Sequence, residues 1–311
     1  MSSFTPLADR SDWYPAFRQR HLDSYRATGV PAAAAELLVD QLLDPAQDWT
    51  AVAVTDGNGR RIGQAVVGVI DPQGRSIGRI VDLWTDPAED PTGDHHRAAR
   101  AWAQAWCTEH AARRVAVRLA EPHPSFAGYP VRSQTRYKAL ASPTAAAAGR
   151  ADGVTTRPMT GAEYPAWVAG EQESYIADIV RSGTKTAEEA RKQAEQEFLE
   201  LLPDGPATAD TAILVIEADG AQVGVVWLRH GYLPGVSYLY TVAVHPEHRG
   251  RGFGRAAMAV ADETSAAAGD LGLMFNVFGG NDVAMNLYTS AGYLVLEESR
   301  SIDLAPANGR E

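Results

Sequence analysis

The sequence predicts an α/β protein in which one mixed sheet, flanked by helices, is built twice along 311 residues. Three observations predict it. Strand-length runs of β-branched and aromatic residues alternate with longer Ala-rich amphipathic runs, the pattern of a sheet covered by helices. The length suits about two domains of ~150 residues. The chain also repeats itself in order: "YPAFRQRHLDSY" (14–25) returns as "YPAWVAGEQESY" (164–175), "TAVAVTDGNGRRIG" (50–63) as "TAILVIEADGAQVG" (211–224), and "AGYPVRSQTRYKAL" (127–140) as "AGYLVLEESRSIDL" (291–304). The offsets drift from 150 to 161 to 164, which marks duplication with small insertions. The Ala-rich "SPTAAAAGRADG" (142–153) then reads as a linker between domains at 1–145 and 152–305.

The second copy shows its elements in order. "GVTTRPM" (153–159) reads as a short strand, and "GAEYPAWVAGEQESYIADIVRSG" (161–183) as a helix. "TAEEARKQAEQEFLELLPDG" (186–205) is a second helix, opened by Thr186 as N-cap with Glu189 at the capping-box position. "TAILVIEADGAQVGVVWLRH" (211–230) is a hairpin turning at ADG, and "VSYLYTVAVH" (236–245) a further strand. A glycine-rich loop leads into an Ala-rich helix (254–268). The strand "LGLMFNVF" (271–278), the helix "NDVAMNLYTSAG" (281–292) and the strand "YLVLEESRSIDL" (293–304) complete the copy.

Composition narrows the class. Apolar residues make up 45% and charged residues 22%, ordinary for a soluble globular protein. No apolar run approaches the ~20 residues that span a bilayer. No basic segment followed by an apolar one opens the chain, so no signal peptide is expected. Cys107 is the sole cysteine, which excludes an intrachain disulfide, and it falls mid-helix as a packed thiol. These points favour the cytoplasm. The net charge of −11 is uneven: residues 1–150 carry 17 Lys and Arg against 16 Asp and Glu, leaving 28 − 17 = 11 against 39 − 16 = 23 for the rest. An acidic second half repels nucleic acid and attracts cationic partners, although charge alone reads first as a solubility feature.

The stretch "HRGRGFGRAA" (248–257) carries the chemistry. Glycines let backbone N–H groups turn toward a ligand, and the following helix N-terminus favours an anion. Arg249, Arg251 and Arg255 add charge, so a pyrophosphate is the natural ligand. A Walker A loop requires Gly-Lys-Ser/Thr, and no lysine is present. Gly252, Gly254 and Ala257 fit a dinucleotide G-x-G-x-x-A, but "HPEHRGR" separates them from their strand and the next strand lacks a terminal acidic residue for a ribose.

"VAVHPEHRGRGFGRAAM" resembles the acyl-CoA-binding core of the GNAT N-acyltransferase superfamily, whose signature Q/R-x-x-G-x-G/A is met by Arg249, Gly252 and Gly254. "GGNDVAMNLYTSAGY" is similar to the family's second motif through Asn281, Ala284, Leu287, Tyr288, Gly292 and Tyr293. The resemblance covers about 151–304 directly and the first copy through the repeat, so the whole looks like a tandem GNAT protein. It implies that backbone groups of Val242, Ala243 and Val244 meet the pantetheine arm. It also implies that Arg249, Gly250, Arg251, Gly252, Phe253 and Gly254 hold the pyrophosphate beside Arg255, that Asn281 touches the cofactor, and that Tyr288 is the general acid. The cofactor implied is acetyl-CoA, consumed as a co-substrate, with no metal.

Acyl transfer needs an ammonium deprotonated, an oxyanion steadied and a thiolate protonated. A tyrosine, with an ordinary pKa near ~10, can protonate sulfur. Asn281, Ala284 and Tyr288 share a helix face by spacing, although Asn281 equally suits an N-cap. Tyr293 reads as core. Among bases, Glu173 ranks first, with Glu171, Tyr240 and His230 behind it, and water-relayed deprotonation needs no dedicated base. His245 and His248 read as solvated or phosphate-adjacent.

The first copy departs at both motifs. Pairing "HRAARAW" with "GRAAMAV" sets Asp94, His95 and His96 opposite Gly252, Phe253 and Gly254, and Glu89, Asp90 and Asp94 then crowd the phosphate position. "VAVRLAEPHPSFAGY" leaves no counterpart of Asn281 or Tyr288. Adjacent histidines point apart on most backbones, which disfavours a metal at His95 and His96. The expectation is a single acyl-CoA per chain and an N-acetyltransferase acting on a primary amine, cationic at neutral pH, of a small molecule or peptide. A homodimer is compatible with it. The other class it allows is a non-catalytic acyl-CoA-binding or interaction module.

Overall fold

The computed structural model describes residues 2–43, 47–140, 153–181 and 185–304; the linker expected at 142–153 lies, apart from Gly153, outside them. The first half contributes β1 (Ser3–Pro6), α1 (Tyr14–Ala27), α2 (Ala32–Asp40), β2 (Thr50–Thr55), β3 (Arg61–Ile70), β4 (Ile77–Thr85), α3 (Asp94–Glu109), β5 (Arg114–Leu119) and β6 (Val131–Ala139). The second contributes β7 (Val154–Pro158), α4 (Tyr164–Arg181), α5 (Ala187–Leu201), β8 (Thr211–Ala218), β9 (Ala221–Leu233), β10 (Val236–Val244), α6 (Phe253–Ala267), β11 (Gly272–Phe278), α7 (Asp282–Ser290) and β12 (Leu294–Asp303). The capping box is formed: Thr186 accepts from the Glu189 N–H while the Glu189 carboxylate reaches back to the Thr186 backbone.

The chain divides into two compact units, and the division differs from the halves read from the repeat. The first unit runs to Ala27, resumes over Ala35–Gln134 and takes the last strand from Val295. The second comprises Thr28–Ala34 and Thr135–Leu294. Strand order is β1-β2-β3-β4-β5-β12 in the first unit and β7-β8-β9-β10-β11-β6 in the second. Each half therefore gives its final strand to the other half's sheet. The two strands come from the same repeat, "AGYPVRSQTRYKAL" and "AGYLVLEESRSIDL", so either one matches either edge.

In the second unit the exchange brings charged side chains inward. Arg136 of β6 is 5% exposed. It donates to Thr289 Oγ1 at 3.1 Å and to the Tyr293 carbonyl at 3.3 Å. Lys138 meets the Asp262 carboxylate at 2.5 Å, and the Tyr293 hydroxyl donates to the same carboxylate. Burial holds the Asp262 carboxyl above its ordinary range against the pull of Lys138 and Tyr293. In the first unit, Arg300 of β12 donates to the Phe126 and Tyr129 carbonyls, and the buried Glu297 accepts from Tyr25. Arg136 and Arg300 are the same position of the repeat, and each secures the Ala-Gly-Tyr corner of its unit.

Side-chain alternation makes two cores in the second unit. Val226 and Leu228 of β9 join Ile216, Leu239, Leu273 and Phe275 beneath α6. Val225 and Trp227 face the other way, with Ile213, Val215 and Phe198 beneath α4 and α5. Each such fully buried large side chain contributes about 1.5–3 kcal/mol. In the first unit Cys107 packs with Val67, Ile80 and Val115, and burial pushes its thiol up to about 11.

Candidate active site

The site forms where two parallel strands part. β10 and β11 pair only from Val236 with Gly272 to Tyr238 with Met274. On its other side β10 stays paired with β9 to Val244, through a register shift between Leu239 and Thr241. The backbone of residues 242–244 is thus hydrogen-bonded on the β9 side and lies beyond the paired part of β11. An extended ligand can use the remaining edge as it would a sheet edge.

The glycine loop follows directly. Pro246 to His248 makes one 3-10 turn, and the Arg249 side chain is anchored on the Val244 carbonyl at 3.2 Å. Gly252 caps α6 in the left-handed region, at φ 87°, and no side chain caps the helix there. The first-turn N–H groups of α6 are therefore available to an anion, beside the exposed Arg251 and Arg255. Gly254 has a different reason to be glycine. A Cβ there would come within 3.1 Å of Leu287 Cδ2, so its absence lets α7 close onto the start of α6.

On α7, Asn281 is the N-cap, its Oδ1 accepting from the Ala284 N–H at 3.2 Å. Tyr288, seven residues on, packs edge-on against Phe275 with ring centroids 4.4 Å apart. Its hydroxyl makes no hydrogen bond among the described residues. Burial raises its pKa, with Arg136 pulling the other way, so the phenol keeps its proton at neutral pH. Tyr293 is fully buried, as its reading as core requires.

The carboxylate that reaches the parting strands is Glu171. Its Oε2 accepts from Thr241 Oγ1 at 2.6 Å, at the register shift of β10. Burial raises the Glu171 pKa against that hydrogen bond. Glu173, ranked first from sequence, is exposed. Residues two apart on a helix do not share a face, so α4 can aim only one of them at β10. Tyr240 stacks on Trp227 at 4.5 Å and neighbours Tyr238 at 4.8 Å, lining the α4 and α5 side of the sheet. His230 sits at the paired end of β10, bonded to Ser237, which donates to Asp270.

The first unit repeats the scaffold with the anion position closed. β4 and β5 pair from Ile77 with Arg114 to Ile80 with Val117 and part beyond. The helix caps pair Gly93 with Gly252, at φ 69° and 87°, so one loop glycine is kept where the sequence alignment set Asp94. Of the three acidic residues expected to crowd the phosphate position, Asp94 opens α3, but it is Asp90 that takes the helix's first N–H groups. Its carboxylate is 6% exposed and accepts from the His95 N–H at 3.1 Å, the His96 N–H at 2.8 Å and Thr85 Oγ1 at 3.1 Å. Glu89 is paired with Arg60, and Asp94 with Arg97. Burial pushes the Asp90 carboxyl up, but the two backbone donors and Thr85 outweigh it and hold it below its usual range. A 3-10 turn over Pro124 to Phe126 stands where the second copy has α7. His96 stacks on His123 at 3.5 Å and bonds Ser125.

Comparison with known proteins agrees with this geometry. Residues 176–293 match the acetyltransferase (GNAT) family. An uncharacterised N-acetyltransferase of Bacillus subtilis is 28% identical over 142 residues, 45% of this chain and 90% of that protein. A mycothiol acetyltransferase of Paenarthrobacter aurescens is 26% identical over 307 residues, 94% of this chain and 88% of that protein. The crystal structure of a GCN5-related N-acetyltransferase from Sphaerobacter thermophilus shares the fold, with a TM-score of 0.55 at 18% identity over 98% of this chain and 96% of its own. The parted strands, the uncapped glycine loop and the tyrosine helix thus lie within the stretch, less than half of the chain, that matches the acetyltransferase (GNAT) family, in a chain whose fold is shared with a GCN5-related N-acetyltransferase.

Proposed function

We propose that the chain transfers an acetyl group from acetyl-CoA to a primary amine, with chemistry in the second unit alone. The observation that carries this reading is the contrast at the two helix N-termini: α6 opens on an uncapped glycine loop, whereas the Asp90 carboxylate occupies the first turn of α3. The pyrophosphate would rest on the loop from Arg249 to Gly254 with Arg255 beside it. The pantetheine arm would run along the free backbone edge of Val242, Ala243 and Val244, and Asn281 would lie against the cofactor while capping α7. The cofactor supplies the activated thioester.

Tyr288 holds a proton at its hydroxyl for the departing thiolate. Glu171 stands on Thr241 and takes a proton from the ammonium, directly or through water, replacing Glu173 as the favoured base. Its raised pKa suits the task, because a base nearer neutrality takes up a proton more readily. The aromatic pair Tyr238 and Tyr240 would face the acceptor, and an ammonium over such rings is favoured by about 0.5–2 kcal/mol. The full-length relative's name puts the substrate of mycothiol acetyltransferase first in an acceptor screen. Thiol release from acetyl-CoA is measured against that compound, amino sugars and peptide amines. Release that depends on an amine supports transfer, whereas CoA binding without turnover on any amine would leave a binding module.

A further inference from the structure

The first unit keeps an acceptor-side cleft and reverses its polarity. Strand register fixes the correspondence: Ile77 pairs with Arg114 as Val236 pairs with Gly272, so Arg79 stands at the position of Tyr238 and Arg118 at that of Asn276. The repeat offset of 150 sets His21 at the position of Glu171. In the second unit these positions carry a carboxylate, a phenol and an amide. In the first they carry an imidazole and two guanidinium groups, all lining one small, solvent-open cleft between α1, β4 and β5.

Of the two guanidinium groups, one has no ion pair among the described residues and the other only a loose one. Arg79 is half-buried and makes no ion pair among the described residues; its guanidinium carbon lies 6.0 Å from the centre of the Trp49 ring. Burial and the adjacent Arg118 both disfavour its charge. Arg118 approaches Glu297 only at 3.7 Å, and that carboxylate already accepts from Tyr25. Asp82, the other nearby carboxylate, is held by Arg20 and Gln64, each at 2.6 Å. His21 Nδ1 is buried with no hydrogen-bond partner, and burial drives the ring's pKa down to about 4, so it is a neutral donor or acceptor at pH 7. A guanidinium withdrawn from water without a counterion is costly, and a bound anion removes that cost.

We propose that this cleft binds a small oxyanion, the carboxylate or phosphate group of a metabolite-sized ligand, held by Arg79 and Arg118 with a hydrogen bond from His21. The first unit is then an anion-binding partner to an amine-binding second unit. The site does not rest on the acetyl-transfer reading. The test is calorimetry on the full chain saturated with CoA, so that the α6 loop is filled, titrated with sodium phosphate and separately with sodium acetate. The expected result is saturable binding of one of them, weakened at least tenfold in Arg79→Met; the anion that binds assigns the group. Arg79→Met removes an unpaired charge, so its melting temperature without anion should match or exceed that of the parent. Absence of binding by both anions, or binding unchanged in Arg79→Met, overturns the proposal. Imidazole spectra give a second reading on the unaltered chain: the anion should shift the His21 resonances, and their constancy at saturating anion would also overturn it.

Discussion

In the proposed mechanism Tyr288 and Glu171 divide the proton transfers. Tyr288→Phe removes the hydroxyl and leaves the ring against Phe275, so kcat should fall roughly 10²-fold with CoA affinity unchanged; steady-state kinetics with calorimetry checks this, and wild-type turnover would remove Tyr288 from the mechanism. Glu171 must be deprotonated to act as a base, and burial raises its pKa. The rate should therefore climb with pH through that raised value and level off above it. Glu171→Gln keeps an acceptor for Thr241 and should abolish that acidic limb, as kcat/KM profiles would show, while Glu173→Gln should leave the profile in place. Sequence offered both glutamates and could not choose, because the choice depends on which face of α4 meets β10. The places of Arg249, Gly252 and Tyr288 at a helix start and on the following helix were legible because those backbone requirements are local to short motifs.

Helix starts separate the two copies at the level of elements. Gly93 and Gly252 cap in the same conformation, yet only α3 has a carboxylate on its first N–H groups. Asp90→Ala should cost about 1–2 kcal/mol, the scale of a lost helix cap. The sign with pH follows from the lowered pKa: the stabilisation is present above the unfolded value of about 4 and is lost as pH falls through the folded one. Urea melts at pH 7 and at about pH 3 should show the gap between parent and variant narrowing in acid; a constant gap would mean that the carboxylate's charge is not what stabilises α3. Sequence showed acidic residues near this turn without showing which of them reaches the amides, since Glu89 and Asp94 find arginines first.

The scale of the whole molecule is set by strand exchange. Each repeat predicted its own closing strand, and the strands exist, but β6 completes the second unit and β12 the first. Period-2 patterning identifies a strand without naming its neighbour, and two strands from one repeat suit either edge equally. A chain restricted to residues 152–311 would lack β6 with Arg136 and Lys138, leaving the β11 edge unpaired and the buried Asp262 without its cation. It should be insoluble or unfolded by circular dichroism, and a folded, active fragment would show the exchange to be dispensable. Both units keep parted parallel strands, so under the proposed function the loop and the Asp90 carboxylate decide how many cofactors bind. Native mass spectrometry of the intact chain with excess CoA measures that number. One equivalent, lost in Gly252→Asp, is the result required if the second unit alone holds the cofactor. Two equivalents, or one that survives Gly252→Asp, would contradict it.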